Sequence, residues 1–284
     1  MQRRSLALGL SLLLAAAVVG AIWKSRQPTA AGDNAIAFGT PACEPVKLLT
    51  GSAKFAFLQD PRVSAELAKQ GLCPELSKSG NFKDDAARAG DFDAVWPAGA
   101  NAANDFVQAL NGKGAVSTHP VFASPLAIAS WKPLLPVFQQ NGLLDAASGE
   151  FLLDKALPLM LAGTRWNELR DNTVYAVNKG LLVNTPDIRK SNTGLLYIAL
   201  LAWMKHKHEV PTTQEAAIGL ASELSPLITR QGFQESTLAG PFEDYIGQGM
   251  GKAPLVLIYE SQFVEATRQG KLRDKHVMLY PVRA

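Results

Sequence analysis

Apolar and polar positions alternate in short blocks along most of this chain, and the period of the blocks changes repeatedly from strand-like to helix-like. Residues 46–50 form a short apolar run closed by Gly51 and Ser52, and residues 92–96 form another, stopped by Pro97, Ala98 and Gly99. Both patterns predict strands. Residues 121–129 form a longer extended run broken by Pro125, which points to an edge or a crossing point, because proline cannot donate to a ladder. Residues 172–177 and 180–183 are strand-like, residues 253–259 predict a buried strand, and residues 277–280 a closing one. Helical or turn-like patterns fall between them at 60–70, 104–110, 131–141, 151–162, 166–169, 213–230, 242–249 and 261–269. Pro61 suits the first turn of one of these helices and Gly71 suits its end. Alternating strands and helices predict an α/β protein with mostly parallel sheets.

The most informative stretch is 185–203. A polar, turn-forming segment leads through Ser191, Asn192, Thr193 and Gly194 into an almost wholly apolar run at 195–203. Serine, asparagine and threonine are favoured helix N-caps, and glycine lets another group approach the backbone closely. A helix apolar on every face is expected to be buried. Its first turn would offer free N–H groups and the positive end of the helix dipole, a place for an anion or a polar oxygen. The same residues also suit an ordinary capped core helix.

The first residues have a different character. Arg3 and Arg4 precede an uncharged apolar stretch at 5–23, followed by Lys24 and Arg26. Such a stretch is long enough for a single N-terminal membrane anchor and also fits a secretory signal peptide with a small-residue cleavage site at Val19, Gly20 and Ala21. Residues 1–26 are therefore expected to be a signal anchor or signal peptide, and the small, polar residues 27–43 a linker. Either form implies export, with the rest of the chain in the periplasm, held at the inner membrane if the segment is uncleaved. Cys43 and Cys73 are the only two cysteines, and in an exported chain an even count suggests a disulfide; two free thiols is the alternative.

Composition excludes more than it selects. Of 284 residues, 28 are Lys or Arg and 25 Asp or Glu, a net charge of +3. With no basic block interleaved with aromatics, no nucleic-acid partner is expected. The chain has no nucleophile elbow, zinc-binding histidine pair or P-loop. His206 and His208 are two apart, which puts them on different helix faces. No catalytic residue, metal or cofactor is expected.

Taken in order, these landmarks resemble the type II periplasmic, or extracellular, solute-binding protein superfamily, over roughly residues 44–284. The resemblance rests on Thr50, Gly51 and Ser52 after the first strand, 92–97, 124–129 at a crossover, 185–187 with 191–194 and Tyr197, and the return strand 253–261. It implies two α/β lobes that close over a ligand, with 44–125 plus 240–284 in lobe 1 and 126–239 in lobe 2. The implied ligand contacts are Thr50, Gly51, Ser52, Pro97, Ala98, Gly99, Ser124, Asn192, Thr193, Gly194, Tyr259 and Glu260. The implied function is capture of a small polar or anionic ligand for an ABC-type transport system with a membrane permease. A membrane-tethered interaction or sensor protein, binding an envelope protein partner on the same fold, is the alternative. Glu260 fits an anion site poorly; it would suit a cationic or zwitterionic ligand, or simply cap the helix that follows it.

Overall fold

The computed structural model describes residues 43–79, 85–110 and 116–281. The expected anchor or signal segment 1–26, with its apolar stretch 5–23, and linker residues 27–42 lie outside them. Among the described residues, no helix is long and apolar enough to cross a membrane.

The first lobe begins with β1 (Glu44–Gly51), which runs into a 3-10 turn (Ser52–Lys54), α1 (Phe55–Leu58) and α2 (Pro61–Lys69). Asp60 caps α2, its carboxylate accepting from Arg62 N at 2.9 Å, with Pro61 next in line as the sequence predicts. Gly71, at φ 77°, turns the chain into β2 (Leu72–Ser79). β3 (Ala94–Trp96) and α3 (Ala100–Leu110) follow. The three strands lie in the order β2-β1-β3, all parallel. β2 escapes the sequence pattern because Pro74 interrupts it. As an edge strand it tolerates the missing donor. Cys43 and Cys73 form a disulfide joining the starts of β1 and β2. Among the described residues the core beneath this sheet is small: Leu49, Ala86, Ala89 and Phe106 are buried, with Phe92, Val95, Ala102 and Leu110 partly so.

The second lobe opens with β4 (Leu126–Trp131), α4 (Leu135–Gln140), α5 (Leu153–Ala162), α6 (Asn192–Lys205) and α7 (Gln214–Thr229). α8 (Ala239–Gln248), β5 (Val256–Tyr259), α9 (Glu260–Arg268) and β6 (His276–Leu279) complete it. β4 lies between β5 and β6 and is antiparallel to both. The expectation of mostly parallel sheets therefore holds for the first sheet and fails for the second. Alternation of strand and helix does not record direction, and the long excursion between β4 and β5 brings the chain back the opposite way. The runs at 172–177 and 180–183 do not become strands. Asn172 organises the first as a turn, donating to Trp166 O at 2.6 Å and Tyr175 O at 3.0 Å. The second makes only isolated bridges, Gly180 beside Arg165 and, just past its end, Asn184 beside Val256.

The larger core is built on this second sheet. It gathers Ala127, Ile128, Phe138, Phe151, Trp166, Tyr197 and Leu201 with Tyr245, Val256, Ile258 and Leu279. Residues from 240 onward thus pack with the second sheet, whereas the expected division grouped them with the first lobe. Trp131 donates its indole N–H to Ala253 O at 2.9 Å, and Ser130 its hydroxyl to Pro254 O at 3.0 Å, tying β4 to the entry of β5.

α6 also departs from expectation. Tyr197 and Leu201 are buried, but Leu195 is 54 % and Leu196 38 % exposed, so the helix covers the core with one side only. An apolar sequence without a preferred face cannot announce which side will be outward. Tyr197 Oη is buried with no hydrogen-bond partner, and burial pushes the phenol above its ordinary value. An unpaired buried hydroxyl costs about 1–3 kcal/mol. Tyr197→Phe is therefore expected to melt at the same temperature as the parent or higher; a lower midpoint in thermal denaturation would mean the hydroxyl is bonded in solution.

Candidate functional site

β1 delivers its carboxyl end to a cleft facing the first turn of α6. Gly51, Ser52, Ala53 and Lys54 form one wall, with Ser79 at the end of β2 and Ala98 after β3. Ser191, Asn192 and Thr193 form the opposite wall, with Ser236, Thr237 and Leu238 ahead of α8 and Tyr259 at the end of β5. The space is about 400 Å3 including its open mouth. Ends of parallel strands facing a helix N-terminus are where α/β sheets place ligands.

Backbone connections fix this geometry. Asp187 N donates to Glu235 O at 2.8 Å, which holds 235–237 against the approach to α6. Ser191 N donates to Asp187 O at 2.9 Å. The Asp187 carboxylate accepts from Arg189 N at 2.9 Å and from its guanidinium at 2.7 Å, and these bonds hold its carboxyl below the usual range. Ser191 is the N-cap, and its side chain makes no capping hydrogen bond. The amides at the start of α6 therefore keep no intrahelical acceptor, and the dipole adds partial positive charge beside the cleft.

The polar side chains of the lining are unevenly satisfied. Thr193 donates its hydroxyl to Tyr259 Oη at 3.2 Å, and burial raises the Tyr259 phenol above its ordinary value. Ser79 is 3 % exposed and its Oγ has no partner; Asn192 Nδ2 is also buried and unpaired. Lys54 sits 5.5 Å over the Trp96 ring. Burial lowers its pKa to about 8. It makes no ion pair or hydrogen bond among the described residues. The cleft wall thus contains two buried, unspent donors, a helix N-terminus and one partly desolvated amine, and no carboxylate among the described residues.

The structure brings together Gly51, Ser52, Ala98, Asn192, Thr193 and Tyr259 of the residues the resemblance implied. It puts the others to different uses. Thr50 is fully buried and donates to Trp96 O at 3.1 Å, joining β1 to β3. Ser124 Oγ accepts from Ser261 N at 3.1 Å and so closes the first turn of α9. Pro97 and Gly99 flank Ala98 without reaching the lining. Gly194 meets its own chain: a Cβ there would lie 2.7 Å from Pro186 O and 3.2 Å from Ile188 Cα. Glu260 opens α9 and accepts from Tyr280 Oη at 2.8 Å, so its carboxylate sits outside the lining. The conflict it posed for an anion is thereby removed. Ser191 belongs to the helix start that the sequence singles out, whereas Lys54, Ser79, Ser236 and Thr237 were not expected. Lys54 lies within two residues of an expected position, Ser79 depends on recognising β2, and nothing local marks the pair at 236–237.

No family model and no curated protein matches the chain. Among solved structures, the tungstate-binding protein TupA from Desulfovibrio alaskensis G20 is similar over 84% of this chain and 77% of its own, at 11% identity and TM-score 0.48. The periplasmic molybdate-binding protein of Azotobacter vinelandii is similar over 84% and 79%, at 15% identity and TM-score 0.43. The reduced form of the regulatory domain of OxyR2 from Vibrio vulnificus is similar over 86% and 83%, at 13% identity and TM-score 0.40.

Proposed function

We propose that this chain is an exported solute-binding protein that captures a small polar or anionic ligand, best a compact oxyanion, and presents it to an ABC-type permease. The observation that carries the reading is the pair of buried, unpartnered donors, Ser79 Oγ and Asn192 Nδ2, in the wall beside the N-terminus of α6. Leaving each unsatisfied costs about 1–3 kcal/mol, which an oxyanion with several acceptor oxygens would recover while meeting the helix amides. Binding without catalysis is the reading favoured here. Among the described residues, the lining holds no histidine, cysteine or carboxylate, and Ser52 and Lys54, though both present, share no hydrogen bond.

Thermal denaturation of the full chain with molybdate, tungstate, sulfate and phosphate, each added separately, tests the reading. A ligand at one hundred times its Kd stabilises by about 2.7 kcal/mol, so at least one anion should raise the midpoint by several degrees. Asn192→Ala should remove most of that rise. No shift from any anion, with a shift from an amino acid or a sugar, would reassign the ligand. No shift from any of these would favour the alternative of a tethered protein that binds an envelope partner.

A further inference from the structure

We infer that anion capture in this cleft is coupled to uptake of a proton by Lys54, so that the site loads in acid and neutral conditions and releases in alkaline ones. The inference rests on the proposed anion site and adds its regulation. Its basis is placement. Lys54 closes the 3-10 turn that follows β1, which sets its side chain at the cleft wall with its ammonium over the Trp96 face. Burial disfavours the charged form, the Trp96 face offsets only part of that cost, and among the described lining residues no carboxylate restores it.

Among the described residues, none of the other charged groups on the surrounding elements lines the cleft. α2 begins with the Asp60–Arg62 pair, closed on itself at 2.6 Å. β2 ends with Lys78, which is exposed, and Ser79. The approach to α6 carries Asp187, held by Arg189 at 2.7 Å. Glu235 precedes the 236–238 wall with its side chain against Gly240. At the end of β5, Tyr259 titrates above its ordinary value, and Glu260 is occupied by Tyr280. Lys54 and Tyr259 are the only titratable side chains among the described lining residues, and the tyrosine changes charge well above neutrality.

The proton balance follows. The empty cleft holds Lys54 as a mixture of amine and ammonium near pH 8. An anion placed beside it stabilises the ammonium and raises its pKa. The amine, one proton from solvent and the anion then give the ammonium–anion pair. Above the empty-site pKa and below the filled-site pKa, affinity falls by up to about tenfold per pH unit. Below about pH 7 it is flat.

Calorimetric titration of the full chain with molybdate and with sulfate, neither of which exchanges a proton in this range, reads the coupling directly. Each titration is run at pH 7 and pH 9 in two buffers of different ionisation enthalpy. The expected uptake is near zero at pH 7 and approaches one proton per anion at pH 9, with affinity lower at pH 9. Lys54→Met should bind more weakly with no proton uptake; Lys54→Arg should bind with a flat pH profile through pH 9. Binding without proton uptake at pH 9 in the parent overturns the coupling and leaves the anion site standing. Undiminished uptake in either variant also overturns it. Absence of binding by both anions at both pH values removes the anion site itself, and the coupling with it.

Discussion

Replacing Cys43 and Cys73 with serine is expected to uncouple the two halves of the described fold and to abolish ligand capture while the second half stays folded. The disulfide joins residues 30 apart in sequence. Closing a loop of that length contributes about 3–4 kcal/mol in the chain-entropy account. The first lobe has little to set against such a loss. Its buried core is Leu49, Ala86, Ala89 and Phe106, whereas the second sheet organises a cluster that includes Trp131, Trp166, Phe138, Phe151, Tyr197 and Tyr245. β2 is an edge strand carrying Pro74, and among the described residues it pairs with no strand but β1. The bridge is therefore the strongest link between β1 and β2, and Ser79 and the Gly51–Lys54 wall depend on those two strands. Calorimetry of the double variant should show two transitions, the first well below the parent midpoint. Amide exchange should quicken in β1, β2 and β3 first. A single transition at the parent temperature would mean that the first lobe is held by contacts with the second and not by its bridge.

The strands that carry the cleft were readable because their chemistry is local. β1 is an apolar run ended by Gly51 and Ser52, and β3 one ended by Pro97; the crossing segment announces itself with Pro125, and β5 is apolar throughout. What escaped is set by partners distant in the chain. Pro74 hid β2 because proline is acceptable only at an edge, and edge position is a property of the sheet. The antiparallel second sheet escaped because direction is decided by the path of the more than one hundred residues between β4 and β5. The same distinction runs through the site. Asn192 and Thr193 were legible as the start of a helix. Lys54 was a lone cation after a serine, and only its burial over Trp96 gives it a chemical role. Thr50 and Ser124 were implied ligand contacts, but Thr50 donates to Trp96 O and Ser124 Oγ accepts from Ser261 N.

Gly194→Ala is expected to lower stability by about 1–3 kcal/mol, the usual cost of forcing an extra carbon into a packed site, and to weaken anion binding tenfold or more. The sequence suggests that this glycine admits a ligand; the structure shows that it admits Pro186 and Ile188. An added Cβ would lie 2.7 Å from a backbone carbonyl and 3.2 Å from a backbone Cα, neither of which can swing aside as a side-chain tip could. The strain must move either the 186–188 segment or the first turn of α6. Either movement reaches the cleft, because Asp187 anchors 235–237 through Glu235 O and Ser191 through its own carbonyl. Gly219, inside α7, is the matched control: a Cβ there meets nothing within 4 Å. Gly219→Ala should leave binding unchanged and stabilise by up to about 1 kcal/mol through helix propensity. Denaturation and anion titration on the two variants separate the effects. If Gly194→Ala melted and bound like the parent, α6 would not be seated on the 186–188 segment as described, and the amides at its N-terminus would lose their fixed aim into the cleft.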